Sequence, residues 1–223
     1  MAQYVITIDG LAGSGKSTAA RNLARRLGFV HLNSGALFRA VAHLALQSGA
    51  NLEVDEEITA LAEQLSFDFS LDADGQTVFT VNGDKLSEEL TNPTVSEAAS
   101  KIATLKKLRQ VLSGIQRNFG KSKNIVAEGR DAGSVVFKHS AYKFYLTADL
   151  AERARRRQHE LGQASTQAVM HDLAARDSRD TSRAIDPALP APDAILIDTT
   201  ALGPVEVVER VCELLKKKGF PVP

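Results

Sequence analysis

The most constraining feature of this sequence lies near its start, where a short apolar run leads into a glycine-rich loop and then a helical pattern. Residues 4–8 read YVITI, residues 10–17 read GLAGSGKS, and residues 17–28 read STAARNLARRLG. The first run is β-branched and apolar on both faces, as in a buried parallel strand. The last run has apolar residues at helical spacing and ends at Gly28. The chain is therefore expected to begin with a strand, a tight loop and a helix.

The loop has the chemistry of a phosphate cradle. It matches the pattern G-x-x-x-x-G-K-[ST] in the strand–loop–helix context that this pattern requires. Glycines let backbone N–H groups approach phosphate oxygens, and the helix presents the positive end of its dipole to the same anion. Lys16 is expected to reach the β- and γ-phosphates of a nucleoside triphosphate, and the Ser17 hydroxyl is an oxygen ligand for Mg²⁺, directly or through water. The residues predicted to surround the triphosphate are Gly10, Leu11, Ala12, Gly13, Ser14, Gly15, Lys16, Ser17 and Thr18.

Strand-like and helix-like segments alternate along the rest of the chain, which predicts an α/β fold with a parallel sheet. Further strands are predicted at 29–32, 124–131, 142–149 and 193–200, and helices at 35–49, 55–65, about 94–103, 105–119, 150–161, 166–186 and 204–219. Residues 67–86 differ, because they alternate with period two and contain the turn signals Asp74-Gly75 and Asn82-Gly83. That pattern predicts a small antiparallel meander inserted into the α/β chain.

Composition excludes several classes of function. The 223 residues carry 27 Lys and Arg and 27 Asp and Glu, so no global charge favours a nucleic acid polymer or a membrane surface. The single cysteine, Cys212, cannot form an intramolecular disulfide. Five scattered histidines and no metal-binding motif argue against a protein-held zinc site. Because the chain shows no signal peptide and no apolar run that could cross a bilayer, we expect a cytoplasmic protein.

Arginines mark the second half of the expected site. Arg130 and Asp131 end a predicted strand, at the sheet edge where ligands of open α/β folds bind. Arg176, Arg179 and Arg183 have the spacing i, i+3 and i+7 of one helix face. Phosphoryl transfer requires positive charge around the transferred group and exclusion of water, which a set of arginines near a phosphate loop can supply.

A fourth arginine cluster is open to two interpretations. Residues 153–157 read RARRR, and they precede a segment that contains Gly162. The cluster is compatible with a segment that closes over phosphates. It is equally compatible with a solvated helix face that holds i,i+4 pairs such as Glu152–Arg156.

Four segments together resemble a known family. TIDGLAGSGKST, LNSGALFRAVA, EGRDAGSVVF and RDSRDTSRAIDPALPAPDAILIDTT occur in order between about residues 4 and 200. The chain is similar to bacterial cytidylate kinases, which are nucleoside monophosphate kinases. The sequence departs from the family pattern at Phe38, where Tyr is frequent, and at Glu128, where Asp is common. The Phe38 change removes one hydroxyl that could contact the substrate.

The resemblance implies a single P-loop kinase domain over residues 1–223, with three α/β/α layers around a parallel core sheet. It places the core at about 1–34 and 106–223. It also implies a monophosphate-binding insertion at about 35–105, which would contain the meander, and a short helical lid at about 153–165.

The resemblance implies the reaction of ATP with CMP or dCMP to give ADP and CDP or dCDP, with Mg²⁺. It assigns Ser34, Ser100, Arg109 and Asp131 to the cytosine, Arg39 and Arg130 to the acceptor phosphate, Arg176, Asp180 and Arg183 to the sugar and nearby phosphate, and Arg153, Arg156 and Arg157 to the ATP phosphates. Of these, Arg130, Arg153 and Arg157 are expected to act in catalysis together with Lys16. The partners expected are small nucleotides, with no nucleic acid polymer and no membrane, and the chain is expected to be a monomer.

The base assignment has a chemical rationale. Cytosine offers a 4-amino donor that the carboxylate of Asp131 can accept, whereas uracil presents an acceptor at that position. Arg109 and Ser100 can donate to the N3 and O2 acceptors of the base. For Asp180, a hydrogen bond from a sugar hydroxyl and an i,i+4 ion pair with Arg176 both remain open.

Two other kinds of protein remain possible at this stage. Another small P-loop kinase would act on UMP, AMP, shikimate or a similar acceptor. A P-loop switch or a non-catalytic nucleotide-binding module would transfer no phosphoryl group to such an acceptor. Against a GTPase switch, the sequence has no N-K-x-D motif, and its DADG at 72–75 falls in a predicted tight turn.

Overall fold

The computed structural model describes residues 3–86, 90, 92–162 and 165–221, which form eight β-strands and eight α-helices. The strands are β1 (Val5–Gly10), β2 (Val30–Asn33), β3 (Phe67–Leu71), β4 (Thr77–Val81), β5 (Asp84–Lys85), β6 (Ile125–Gly129), β7 (Tyr142–Thr147) and β8 (Ile195–Asp198). The helices are α1 (Lys16–Leu27), α2 (Ser34–Ser48), α3 (Asp55–Glu63), α4 (Pro93–Ile102), α5 (Lys106–Ser122), α6 (Leu150–Leu161), α7 (Thr166–Ser182) and α8 (Pro204–Lys217).

A five-stranded parallel sheet forms the centre of the fold, in the order β2-β6-β1-β7-β8. Strand β1 lies in the middle, with Asp9 in register with Gly129 on one side and Tyr145 on the other. Since the strands are parallel, the segments that follow β1, β2, β6, β7 and β8 all leave the sheet at the same edge. This edge is where a ligand site is expected in an open α/β sheet.

Helices cover both faces of this sheet, which confirms the predicted three-layer α/β fold. On one face, Ile6 and Ile8 of β1 pack with α1 and α8 in a fully buried cluster. On the other face, Ile125 and Ala127 of β6 pack with α2, α3, α4 and α5. Alternate residues of the buried strands thus serve opposite layers, as expected for strands that read as continuous apolar runs.

The antiparallel meander is also confirmed. Strands β3, β4 and β5 form a separate three-stranded sheet, with Phe69 opposite Phe79 in its central pair. The turn before β5 places Asn82 at a positive φ of 54°. The meander approaches the main sheet where the N–H of His31 donates to the hydroxyl of Thr77 at 2.8 Å.

Two predicted segments differ from the structure. Helix α7 ends at Ser182 instead of 186, because Arg183 turns to extended angles and the N–H of Ala188 donates back to the Asp180 carbonyl at 2.8 Å. The strand predicted at 124–131 ends at Gly129, and residues 132–136 form a short π-helical segment that was not predicted. The other predicted helices and strands are present, with ends displaced by a few residues.

Parts of the predicted ranges fall outside the described residues. They are 1, 2, 222 and 223 at the two ends of the predicted core, 163 and 164 in the lid range, and 87–89 and 91 in the insertion range. Among the helices that the structure describes, none combines the length and the apolar character needed to cross a bilayer.

Candidate active site

A cleft of about 950 Å³ lies at the carboxyl edge of the parallel sheet. Its walls come from the loop after β1, the start of α2, the end of β6, helices α4 to α7 and the segment after β8. Within the described part of the chain, ten Lys and Arg side chains but only five Asp and Glu side chains line it. A chain with no net charge therefore concentrates positive charge in one cavity, as a site for anions requires.

The glycine-rich loop forms the floor at one end of the cleft. Gly13 and Gly15 have φ values of 76° and 83°, in the left-handed region that glycine adopts without strain. A Cβ at Gly13 would lie 2.8 Å from the Arg153 carbonyl, so the loop also packs too closely for a side chain there. Helix α1 begins at Lys16 with no side-chain cap among the described residues. Its first N–H groups are thus open toward the cleft, which is the arrangement that binds phosphate.

Lys16 is buried beside this loop. Its Nζ donates to the Leu11 carbonyl at 3.2 Å. Burial, together with the positive charge of Arg130, lowers the pKa of Lys16 to about 7. An anion in the cleft would reverse that shift, because it would favour the charged ammonium.

The hydroxyl of Ser17 meets a buried carboxylate at the end of β6. It donates to Oε2 of Glu128 at 2.7 Å, and Nε2 of His31 lies 3.6 Å from Oε1. Burial acts to raise the pKa of Glu128, but His31, the charge of Lys16 and the Ser17 hydroxyl lower it to about 2. These contacts favour the ionised form of Glu128 beside the hydroxyl predicted to serve Mg²⁺.

Arginines from distant segments converge in the middle of the cleft. Nε of Arg130 lies 2.9 Å from Oδ2 of Asp180, which joins β6 to α7. Arg39 of α2 and Arg176 of α7 line the same region. Burial and the charge of Arg130 lower the pKa of Arg176 to about 10, so these cations are packed closely enough to repel each other. Such a cluster is stabilised when an anion binds between its members.

The far end of the cleft contains the residues predicted for the base. Arg109 is buried and pairs with Asp131, and its Nε donates to Asp186 at 3.0 Å. Its guanidinium carbon lies 5.9 Å from the centre of the Phe38 ring. Burial raises the pKa of Asp131, whereas the charge of Arg109 acts to lower it. This end thus combines hydrogen-bonding groups with an aromatic wall, which suits a planar polar ring.

Five buried polar atoms on residues that line the cleft lack a hydrogen-bond partner among the described residues. They are Oγ of Ser14, Nε2 of His31, Oγ of Ser100, Nε of Arg176 and Nη2 of Arg183. Buried polar groups are nearly always satisfied in native proteins, so unpaired ones at a cavity wall indicate a ligand site. The last three can donate, and they lie on residues that the sequence assigned to the acceptor nucleotide.

Helix α6 supplies the predicted lid arginines, and they divide into two groups. Arg156 and Arg157 line the cleft. Arg153 lies behind the phosphate loop instead, where it donates to the Ala12 carbonyl at 3.1 Å and pairs with Asp177. The catalytic role of Arg153 therefore stays a prediction. The contact that links Arg153 to the phosphate loop is its hydrogen bond to the backbone of Ala12.

The structure brings most of the predicted site residues to this one cavity. Those that line it are Ala12, Gly13, Ser14, Gly15, Lys16, Ser17, Thr18, Ser34, Arg39, Ser100, Arg109, Arg130, Asp131, Arg156, Arg157, Arg176, Asp180 and Arg183. Gly10, Leu11 and Arg153 lie beside or behind the loop. The roles assigned to all of these side chains stay predictions, and the geometry establishes only their proximity.

Two expectations from helical spacing are corrected. Arg179 does not share the face of Arg176 toward the cleft, because it pairs with Glu97 of α4 at 2.9 Å near the surface. Arg183 reaches the cleft from beyond the helix end. The carboxylate of Asp180 hydrogen-bonds Arg130, although the charge of Arg176 also acts on it.

Several cleft residues were not identified from the sequence. The hydroxyl of Thr199, just after β8, donates to the Ser14 carbonyl at 3.0 Å and accepts from Arg156. Leu202 and Pro204 continue the wall from there. Thr199 could have been predicted from the sequence, because it follows a parallel strand directly and ligands bind at that edge of the sheet. The contact between Glu128 and His31 could not, because the sequence does not show that β2 and β6 are neighbours in the sheet.

Comparisons with known proteins agree with this geometry. The cytidylate kinase family model matches residues 6–217. The cytidylate kinase of Caldanaerobacter subterraneus subsp. tengcongensis is 42% identical over 216 residues, covering 95% of this chain and 94% of its own. That of Shewanella denitrificans is 40% identical over 217 residues, covering 95% and 96%.

Solved structures support the fold alone. A Thermus thermophilus protein superimposes with a TM-score of 0.51 at 18% identity, covering 98% of each chain. An uncharacterized protein from Eubacterium ventriosum gives 0.52 at 12% identity, covering 97% of this chain and 99% of its own. Given the family match across nearly all of its length, this chain belongs to the cytidylate kinase family.

Proposed function

We propose that this protein transfers the γ-phosphoryl group of ATP to the phosphate of CMP or dCMP, giving ADP and CDP or dCDP. The observation that carries the proposal is that two groups of residues suited to binding anions line one cleft. The first is the loop at 12–18, and the second is Arg39, Arg130 and Arg176. Membership of the cytidylate kinase family supports the same reaction.

The donor nucleotide would place its phosphates on the loop, next to Lys16 and the start of α1. Its nucleoside would then extend along the wall made by Arg156, Leu202 and Pro204, which is continuous with the loop. Thr199 connects the loop to Arg156 by hydrogen bonds. This contact would align the donor phosphates with the lid arginines.

The acceptor would occupy the remainder of the cleft, with its phosphate among the central arginines. Its base would meet Ser100, Arg109 and Asp131, and Ser34 lines the same region. The unpaired donors of Ser100, Arg176 and Arg183 would then gain partners. We propose that residues at about 35–105 form the acceptor-binding part of a single kinase domain, and that residues at about 153–165 form the lid.

The catalytic work expected of the protein is positioning and charge neutralisation. A phosphate oxygen of the monophosphate is already a competent nucleophile, so the site needs no strong general base. Lys16, Arg130 and Arg157 would stabilise the charge on the group in transfer. In this conformation Arg153 would act by holding the Ala12 carbonyl and the loop backbone.

The residues present fit a magnesium ion bound mainly through phosphates. Ser17 and Glu128 place a hydroxyl and an ionised carboxylate 2.7 Å apart beside the loop. Among the described residues no group of three or more His, Cys, Asp or Glu side chains could hold a metal by itself. That agrees with the usual mode of Mg²⁺, which takes few protein ligands and neutralises phosphate charge.

An ADP-release assay with CMP, dCMP, UMP and AMP as acceptors tests the proposal. We expect the highest kcat/KM with CMP and dCMP, and only slow ADP release when no acceptor is present. Preferred turnover of UMP or AMP would contradict the base assignment. ATP binding without transfer to any monophosphate would indicate a non-catalytic module. The monomeric state and the cytoplasmic location stay predictions, and light scattering tests the first.

A further inference from the structure

The guanidinium of Arg109 is divided between two carboxylates. Its Nη2 donates to Oδ2 of Asp131, its Nε donates to Oδ2 of Asp186 at 3.0 Å, and its Nη1 donates to the Ala103 carbonyl at 3.1 Å. Arg109 is only 3% exposed, so these contacts determine its orientation. Asp131 belongs to the predicted base site, whereas nothing in the sequence pattern assigned a role to Asp186.

Asp186 makes this contact from a backbone conformation that few side chains adopt. It lies four residues beyond the end of α7, with φ at 49° in the left-handed region. A non-glycine residue in that region is strained and persists where its surroundings compensate for the strain. The ion pair with the buried Arg109 compensates for this strain. The side chain of Asp186 is 27% exposed.

The fork geometry of arginine explains what this contact changes. A guanidinium and a carboxylate by themselves prefer a bidentate pair, in which two parallel N–H groups occupy both carboxylate oxygens. Because Asp186 takes Nε, the described contacts leave Asp131 with a single bond from Arg109, at Oδ2. Oδ1 of Asp131 accepts no hydrogen bond from any described residue, and Asp131 lines the cleft. This oxygen is therefore available to accept an amino group.

We propose that Asp186 is a specificity-determining positioning residue: by occupying Nε of Arg109, it keeps one oxygen of Asp131 open for the 4-amino group of cytosine. The inference rests on the proposed function, since it concerns discrimination between pyrimidine monophosphates. Without Asp186, Arg109 and Asp131 would close into a bidentate pair. Cytosine would then share Oδ1 of Asp131 with Arg109 and meet a weaker acceptor, and uracil would meet less repulsion at the same position.

Two substitutions separate this role from a structural one. Asp186→Gly removes the carboxylate and also relieves the left-handed strain, which offsets part of the stability lost with the ion pair to Arg109. Asp186→Asn keeps an acceptor of the same shape and tolerates positive φ, but it lacks the charge. Asp172→Asn is the matched control, since it removes the negative charge of an α7 side chain that is 86% exposed.

The experiment compares kcat/KM for CMP and for UMP, the KM for ATP and the melting temperature in the wild type and the three variants. We expect the CMP-to-UMP ratio to fall by about tenfold in the Gly variant, the loss typical of one hydrogen bond to a charged group. The Asn variant should lie between Gly and wild type, and the control should equal wild type. The KM for ATP should stay unchanged in all of them.

A Gly variant that keeps the wild-type ratio would overturn the inference, whatever its melting temperature. An Asn variant that discriminates less than the Gly variant would do the same. The proposed function fails by a different result, namely a wild-type protein that does not phosphorylate CMP. The two failures are therefore distinguishable in one set of assays.

Discussion

Nε of Arg130 lies 2.9 Å from Oδ2 of Asp180, and this ion pair joins the end of β6 to α7 across 50 residues of sequence. The side chains are 16% and 8% exposed. Burial acts to raise the pKa of Asp180, but the charges of Arg130 and Arg176 lower it. The pair orients the guanidinium that we expect to contact the transferred phosphoryl group.

We expect Asp180→Asn to lower kcat/KM for CMP by about 10- to 100-fold, because it removes the charge that orients Arg130 in a buried site. The KM for ATP should change less, since no hydrogen bond or ion pair between described residues joins Asp180 to the loop at 12–18. Steady-state kinetics with each nucleotide varied in turn measures both effects. Glu97→Gln is a matched control. It breaks the exposed ion pair between Glu97 of α4 and Arg179, which lies on α7 next to Asp180. Equal effects of the two substitutions would contradict the role of the buried pair.

For Arg130→Met, we expect kcat to fall by about 100- to 1,000-fold, the loss typical when a donor to transition-state charge is removed. ATP affinity should change far less than kcat does, because the loop and Lys16 remain. Turnover and the Kd for ATP, measured by calorimetry, test the difference. Near-normal turnover would remove Arg130 from the site.

Asp131→Ala should weaken CMP use far more than ATP binding. The substitution removes the acceptor for the 4-amino group, and it also leaves the buried Arg109 with Asp186 as its remaining carboxylate partner. Because losing one of the two carboxylates around a buried guanidinium destabilises the fold, Asp131→Asn serves as a second variant that keeps the shape. The KM values for CMP and ATP measure how differently the substitution affects the two nucleotides. Equal losses for both nucleotides would argue against a contact with cytosine.

The pH dependence of the unfolding free energy should show the titration of Asp9, which is buried next to the segment that follows Asp131. Its carboxylate accepts the N–H groups of Ala132 and Gly133 at 2.8 and 2.7 Å. Burial first, and the charge of Asp131 next, raise the pKa of Asp9 from 3.8 to about 7. A carboxyl group with a raised pKa stabilises the fold when protonated, so its contribution is complete below about pH 4 and is lost as the pH rises to about 7.

We therefore expect wild type to lose about 3 kcal/mol of its unfolding free energy, relative to Asp9→Asn, between about pH 4 and pH 7. Urea denaturation of both proteins across this range measures the difference. At the low end the Asn variant should be the less stable protein, because its amide cannot accept from both N–H groups. Parallel stability profiles for the two proteins would show that Asp9 titrates normally.

Local patterns in the sequence predicted much of this protein. The phosphate loop, the alternation of strands and helices and the turns of the meander depend on glycine conformations and on side-chain period, which a few consecutive residues determine. Arg130-Asp131 could be placed at the site because the end of a parallel strand is a position that the chain order itself specifies.

Tertiary structure decided the partners of the charged groups. Arg179 was expected beside Arg176 but pairs with Glu97, and Asp180 hydrogen-bonds Arg130. The end of α7 and the contact of Asp186 with Arg109 also depend on segments about 80 residues apart. The physical reason is that a charged side chain pairs with whichever opposite charge the packing brings within reach, and residue spacing describes only the neighbours on its own helix or strand.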